Sequence, residues 1–369
     1  MIKILGAGLS GLSAAVKLAQ AGVDVEVFEK RSFIGGVTDD SQAMRNYEHD
    51  YDQLEYFREN GIRLDNAKPI HNIIKYAPSG RSMTVHSEYN KPLFYVFRRG
   101  PGKISIEHQL YKKATQLGVN VEFNSSLDIG NADIVSVGGL YNNIWAYGAI
   151  YTDANVVQDT ILFFMDNTYC PKGYIYLVPH GNEVTIAATT FEIGCPIPQL
   201  FKRFIQENPV MKDALDGATF VKNVSGFEYS NVPKTAIVNG KKIVGSAAGF
   251  LDPSRGFGIK YALLSGMLAA KSIVENKDYD QLWKESFEEE LIQGLKRRLL
   301  LEKMSNEDYE KFIMEDKVSI KRYNKLPDFM RKRLLEASFS LELAKYRRKY
   351  NLGTAFKRTL KETPENVVS

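Results

Sequence analysis

Apolar and polar positions fall into a recognisable order from the first residue. Ile2 to Leu5 is a short apolar run that reads as a buried strand, and Gly6-Ala7-Gly8-Leu9-Ser10-Gly11 breaks it with a glycine turn. Leu12 to Ala21 then carries apolar residues at helical spacing, with Ala15 and Leu18 on the face turned towards a sheet, and Val23 to Phe28 reads as a second strand ending at Glu29. Strand, glycine turn, helix and strand make one βαβ unit of Rossmann type.

Further along, Tyr51 to Asn60 predicts a helix, and Ile70 to Phe97 alternates as strands with a turn at Pro78-Ser79-Gly80, the place for an inserted sheet. Ile104, His108, Tyr111, Ala114 and Leu117 recur at helical spacing up to Gly118; Val119 to Phe123 and Ala132 to Gly139 read as strands. Thr160 to Phe191 is rich in β-branched and aromatic residues, with turns at Pro171-Lys172-Gly173 and His180-Gly181-Asn182, and predicts an antiparallel sheet. Pro198 to Glu207 predicts a helix, Thr219 to Tyr229 a strand and Lys242 to Val244 a short strand that enters Gly245-Ser246-Ala247-Ala248-Gly249. Gly256-Phe257-Gly258 then opens a helix through Ile259, Ala262, Leu263, Met267 and Ala270, so a second glycine turn leads into a second helix N-terminus.

Composition narrows the class. A chain of 369 residues with 44% hydrophobic and 25% charged residues has the balance of a globular protein of about two domains, or of one α/β unit with an inserted sheet. Two cysteines, Cys170 and Cys195, with no ligand spacing around them, predict reduced thiols and no metal site. No apolar run reaches the ~18–20 residues of a membrane span. The opening strand follows no signal-peptide layout, so the protein is expected inside the cell. Charge is unevenly placed: from Lys317 to Lys361 there are fourteen Lys or Arg against Asp328, Glu336 and Glu342, an excess of +11 in a chain of net charge +4, which leaves −7 on the rest.

The glycine turn carries the strongest chemical signal. Gly6 permits the tight turn, Gly8 lets backbone approach a pyrophosphate stabilised by the helix N-terminus, and Gly11 allows close helix-to-strand packing. Glu29, eighteen residues beyond Gly11, is placed to accept hydrogen bonds from ribose hydroxyls and repels a 2′-phosphate. Leu9, Ser10 and Lys30 complete this set of expected cofactor contacts.

Three patches over roughly residues 1–275 resemble the geranylgeranyl reductase family, flavoproteins with the para-hydroxybenzoate hydroxylase fold. They are Gly6 to Gly36, the stretch Gly245 to Ile259 (similar to GDAAGxxDPxxGxGI), and Pro171-Lys172-Gly173-Tyr174-Ile175-Tyr176-Leu177-Val178-Pro179 (similar to PxGYxWxFP). The resemblance implies an α/β fold: a Rossmann-type FAD-binding domain (1–70, 98–150 and 236–280), inserted strands (71–97), an antiparallel-sheet substrate domain (151–235) and a helical, basic C-terminal region (281–369). It implies FAD held also by Gly35, Gly36, Arg98 or Arg99, Leu127, Ser246, Asp252, Gly256, Phe257, Gly258 and Ile259, with Tyr174, Tyr176 and Pro179 against an isoprenoid lipid. The sequence departs from the pattern at Ser246, where the family has Asp, at Tyr176, where it has Trp, and at Gly138-Gly139, where an acid precedes the glycine; no Cys follows Gly36.

The implied reaction is reduction of prenyl C=C bonds by hydride transfer from flavin N5 with protonation of the second carbon, the electrons coming from a reduced carrier protein or NAD(P)H. No residue is marked as the proton donor. Alternatives are a monooxygenase of the same fold and a redox-silent prenyl-lipid-binding protein, the latter favoured by Ser246. Arg331 to Tyr350 predicts a helix with Leu334, Leu335, Phe339, Leu341 and Tyr346 beside Arg331, Lys332, Arg333, Lys345, Arg347, Arg348 and Lys349. Such a helix either rests on anionic headgroups at the inner face of the cell membrane or packs its apolar stripe on the body. No nucleic-acid recognition motif accompanies the charge.

Overall fold

The computed structural model describes residues 1–35, 39–47, 50–87, 91–315 and 328–361. Its first sheet has six strands in the order Ile237–Val238, Lys241–Ile243, Ile134–Val135, Ile2–Leu5, Val25–Glu29 and Asn120–Phe123. All neighbours run parallel except the hairpin at the edge. Parallel strands are covered on both faces, so they read as apolar runs, and Ile4, Val27, Ile134 and Ile243 are completely buried.

Two helices, Leu9–Gln20 and Ile259–Val274, pack against each other beside this sheet. Their contact is close because the facing residues are small: a Cβ at Gly266 would come within 2.2 Å of the Ser10 carbonyl oxygen. The two glycine turns therefore converge, since each opens one of the paired helices.

The second sheet has seven strands in the order Thr219–Glu228, Ile144–Thr152, Glu183–Thr190, Tyr174–His180, Thr160–Phe164, Asn72–Tyr76 and Ser82–His86. Neighbours are antiparallel except Thr160–Phe164 with Asn72–Tyr76. A third sheet orders Ser41–Arg45, Phe94–Arg98 and Lys68–Ile70. The strands between Ile70 and Phe97 thus form no separate inserted sheet. Asn72–Tyr76 and Ser82–His86 extend the aromatic sheet, and Phe94–Arg98 is the centre of the third. One shared core explains the split, because Ile70, Ile73, Phe94, Val96, Ile161, Phe163 and Tyr174 pack in a single apolar cluster.

The strand Ile144–Thr152 was not anticipated from the sequence. Gly148 interrupts its pattern like a breaker, yet the backbones need that glycine: a Cβ there would lie 2.1 Å from the Ile186 carbonyl oxygen.

The C-terminal region is helical, with helices Glu289–Leu301, Asn306–Glu315, Asp328–Lys349 and Leu352–Lys361. Phe339, Leu343 and Tyr346 of the basic helix pack on the Rossmann core, and the Tyr346 hydroxyl donates to the Ser230 carbonyl at 2.8 Å. Arg347 bonds the Val232 carbonyl at 2.8 Å and pairs with Glu288 at 2.9 Å, whereas Leu341 is exposed. Of the expected stripe, Phe339 and Tyr346 thus lie against the body. Side chains of Arg331, Lys332, Arg333, Leu334 and Leu335 are outside the described set. Among the described residues no helix is long and apolar enough to cross a membrane, and no group of His, Cys, Asp and Glu could hold a metal ion.

Candidate functional site

Residues of all three sheets wall one cleft of about 1910 Å³, roughly twice the ~300–1,000 Å³ of an ordinary small-ligand pocket. It has room for a dinucleotide and a second molecule together.

One end is built by the first glycine turn. Gly6 has φ +101°, and a Cβ on it would sit 2.2 Å from the Ser136 carbonyl oxygen; a Cβ on Gly11 would sit 2.1 Å from the Gly6 carbonyl oxygen. Both are required by the fold itself, and Gly11, buried in that packing, does not reach the cleft wall. Gly8 is different. Its φ of −83° suits any residue, and the nearest protein atom to a Cβ there is the Ser136 hydroxyl oxygen at 4.0 Å. Gly8 has no side chain to cap the helix that follows, so the Leu9 and Ser10 amides open on the cleft, while the Gly11 N–H donates to the Ser136 hydroxyl at 3.0 Å. A backbone cradle left bare where the fold does not demand it fits the pyrophosphate of a dinucleotide.

Glu29 stands beside that cradle. It accepts the Ala7 N–H at 2.9 Å on one oxygen and the Arg31 N–H at 3.0 Å on the other, which fixes the carboxylate while leaving lone pairs on the cleft side. Lys30, Gly35 and Leu127 also line the cleft, and Gly35 abuts Gly100, whose carbonyl oxygen would be 2.7 Å from an added Cβ. Gly36 lies outside the described residues.

The second glycine turn contributes Ser246, Gly256, Phe257, Gly258 and Ile259 to the wall, and the helix Ile259–Val274 likewise starts without a side-chain cap. Ser246 carries no charge, but its hydroxyl is 3.5 Å from a carboxylate oxygen of Glu228, on the last residue of the strand Thr219–Glu228. An acid thus reaches this part of the wall from another element.

Besides Gly11, three residues expected at the site lie outside the cleft wall. Asp252 is not in the wall: it is 2% exposed and accepts Ser254 N–H at 3.0 Å, Ser254 hydroxyl at 2.8 Å and Arg255 N–H at 3.2 Å, and it pairs with buried Arg45 at 3.2 Å. It shapes the second glycine turn from behind. Arg98 also leaves the wall, drawn to Glu183 at 2.7 Å and Asp39 at 3.2 Å. Arg99 stays in it, held by Glu107 at 2.6 Å and by the Oε1 of the Gln42 side chain. Pro179 faces away because strand side chains alternate: Tyr174, Tyr176 and Val178 line the cleft, while Ile175 and Leu177 enter a different core.

The far end of the cleft is apolar and aromatic, with Ile73, Phe94, Ile161, Phe163, Val178 and Phe257 in its wall. Phe163 and Tyr174 ring centroids are 5.1 Å apart, and the Tyr174 hydroxyl donates to the Arg255 carbonyl. Burial pushes the Tyr174 and Tyr176 phenols far above the usual value, so both stay neutral.

Between the two ends stand acids that the sequence reading passed over. Asp40 and Glu228 both line the cleft; burial raises both carboxyls above the usual range, and Arg99 opposes the shift in each. Asp40 follows Asp39 in what reads as an ordinary acidic turn. Glu228 ends a strand whose alternate polar residues read as a solvent face.

Comparisons with known proteins agree with this architecture. Residues 4–61 match the NAD(P)-binding Rossmann-like domain. A digeranylgeranylglycerophospholipid reductase of Methanocaldococcus jannaschii is 26% identical over 357 residues, covering 84% of this chain and 88% of that protein. Digeranylgeranylglycerophospholipid reductase 1 of Methanococcoides burtonii is 24% identical over 421 residues, covering 96% and 98%. Among solved structures, a geranylgeranyl bacteriochlorophyll reductase-like protein from Thermoplasma acidophilum superposes with a TM-score of 0.70 at 20% identity, over 85% of this chain and 90% of that one. A flavin-dependent brominase shares the fold at a TM-score of 0.62 and 13% identity, over 98% of both chains. Sequence relatives, fold and the two glycine turns on one cleft coincide: over most of its length this chain is similar to digeranylgeranylglycerophospholipid reductases, and it has the fold of the flavin-dependent enzymes, with a Rossmann-like nucleotide-binding domain.

Proposed function

We propose that the protein is an FAD-dependent reductase that saturates C=C bonds of a prenyl chain of the geranylgeranyl kind, carried on a lipid. The observation that carries the reading is the continuity of the cleft: a bare glycine cradle at one end runs without a partition into an apolar, aromatic half at the other. Bound FAD, once reduced, supplies a hydride.

The chain's residues do the rest. Gly6, Gly8, Leu9 and Ser10 seat the pyrophosphate at the helix N-terminus, Glu29 takes the ribose hydroxyls, and Lys30, Gly35 and Leu127 close the adenosine side. Gly256, Phe257, Gly258 and Ile259 bring the second helix N-terminus to the ring, where its positive end favours negative charge. Tyr174 and Tyr176 position the prenyl chain, while the surrounding apolar wall keeps water from the reacting carbons. Arg99 and Ser246 complete the middle of the cleft.

Mass spectrometry of a geranylgeranyl lipid incubated anaerobically with the holoenzyme and a chemical reductant tests the reading. One H₂ added per reduced bond is expected. An oxygen-dependent hydroxylated product instead makes the protein a monooxygenase, and lipid bound but unchanged makes it a binding protein.

The substrate is held in a membrane, and exposed Lys345, Arg348 and Lys349 supply charge for contact with anionic headgroups. Since Phe339, Leu343 and Tyr346 of that helix are already used on the body, contact is electrostatic rather than insertional. Binding to anionic vesicles in a sedimentation assay is expected to fall at least tenfold between about 50 and 500 mM salt; salt-independent binding contradicts it. The physiological electron donor is proposed to be a reduced carrier protein or NAD(P)H.

A further inference from the structure

Reduction of an isolated alkene needs a proton as well as a hydride, and on the reading above the cleft must contain an acid. Of the other acids in its wall, Glu29 is taken by the Ala7 and Arg31 N–H groups, Glu107 by Arg99 and the Gly100 N–H, and half-buried Glu228 meets the Ser246 hydroxyl on the glycine-turn side. Asp40 is 6% exposed, lines the cleft, and its Oδ1 has no hydrogen-bond partner among the described residues. A buried carboxyl oxygen left without a partner is costly, and such groups mark places where something else is met.

The backbone around Asp40 is held from two sides. Its carbonyl accepts the Arg99 N–H at 2.9 Å, and the next residue, Ser41, donates its N–H to the Thr185 hydroxyl at 3.0 Å. Asp40 is thereby fixed where the third sheet meets the seven-stranded one, close enough to Tyr176 on the aromatic side and to Glu228 on the glycine-turn side to be felt by both. The other groups facing it are Arg98 and Arg99 from the end of Phe94–Arg98, Glu107 from the helix Ile106–Gln116, and the Gln42 amide, 3.5 Å from Oδ2.

We propose that Asp40, as the carboxylic acid, delivers the proton to the alkene carbon that does not receive the hydride. The π bond breaks; one carbon takes the hydride with both its electrons, and the other forms a C–H bond with the Asp40 proton. The alkene gains two electrons, reduced FAD loses two, and Asp40 is left as a carboxylate that Arg99 stabilises until solvent returns a proton. Burial raises the Asp40 carboxyl above the usual carboxylate range and favours the acid form, against the opposing pull of Arg99. Turnover therefore declines as pH rises through that raised value.

Asp40→Asn tests the assignment, because it keeps the shape and breaks no hydrogen bond shorter than 3.5 Å. FAD affinity, read by flavin fluorescence, is expected within about threefold of wild type, while anaerobic oxidation of the reduced holoenzyme by prenyl lipid slows ~10²–10³-fold and loses its alkaline limb. Independently of any substrate, the infrared difference between ligand-free wild type and Asp40→Asn at neutral pH is expected to contain the carbonyl stretch of a protonated carboxyl. Wild-type rates in Asp40→Asn, or a missing carboxyl band, overturn the proton-donor role while leaving the reductase reading in place. A wild-type holoenzyme that reduces no prenyl substrate although the band is present overturns the reductase reading and the role with it.

Discussion

Ligand-free Gly8→Ala protein is expected to melt at the wild-type temperature and to bind FAD about 100-fold more weakly. The backbone at Gly8 is extended, at φ −83° and ψ −178°, so alanine adopts it without strain. A Cβ there meets no protein atom nearer than 4.0 Å. It does project into the space the pyrophosphate needs, and a hundredfold loss corresponds to ~2.8 kcal/mol. Gly6→Ala and Gly11→Ala are the contrast. At those positions a Cβ falls 2.2 and 2.1 Å from carbonyl oxygens, so loss of folding is expected together with loss of binding. Titration of flavin fluorescence beside a thermal melt separates the cases, and Gly8→Ala protein with wild-type affinity contradicts the placement of the cofactor.

Asp252→Ala is expected to cost ~3–5 kcal/mol of stability. The substitution takes the Asp252 carboxylate away from buried Arg45 and removes the acceptor for two backbone amides and the Ser254 hydroxyl. The side chains of Arg45 and Asp252 are 6% and 2% exposed, so water replaces little of what is lost. Arg45 also lies 5.0 Å from the centre of the Phe257 ring in the cleft wall. The damage therefore reaches the cofactor end through the turn at Gly256-Phe257-Gly258. A fall in melting temperature of roughly ten degrees is expected, with weaker FAD binding as its consequence. An unchanged melting temperature shows that the carboxylate does not organise this turn.

The contrast between Gly8 and Asp252 shows what the sequence could and could not reveal. Local rules sufficed for the opening strand, turn and helix, because each glycine's role follows from spacing within one βαβ unit. They did not show that Asp252 turns inward to Arg45, a partner more than two hundred positions away, or that Arg98 leaves the cleft for Asp39 and Glu183. Pro179 was assigned by its motif, although the two-residue period of a strand already sets it on the opposite face from Tyr174 and Tyr176.

The acids of the cleft were hidden for a related reason. Asp40 and Glu228 sit in local patterns of a polar turn and a solvent-facing strand, and only the meeting of the sheets buries Asp40 and half-buries Glu228. Strand Ile144–Thr152 escaped because Gly148 looks like a breaker until its neighbour at Ile186 is known. Long-range pairing also took the strands between Ile70 and Phe97 into two different sheets. Periodicity identified them as strands but carried no information about their partners.

The central claim is that one cleft holds FAD and a prenyl chain for reduction, and a visible spectrum taken without oxygen tests it most directly. Reduced holoenzyme mixed anaerobically with a geranylgeranyl lipid is predicted to regain its oxidised flavin absorbance in proportion to the double bonds saturated. Flavin that stays reduced with the lipid and reoxidises only when oxygen is admitted contradicts the account.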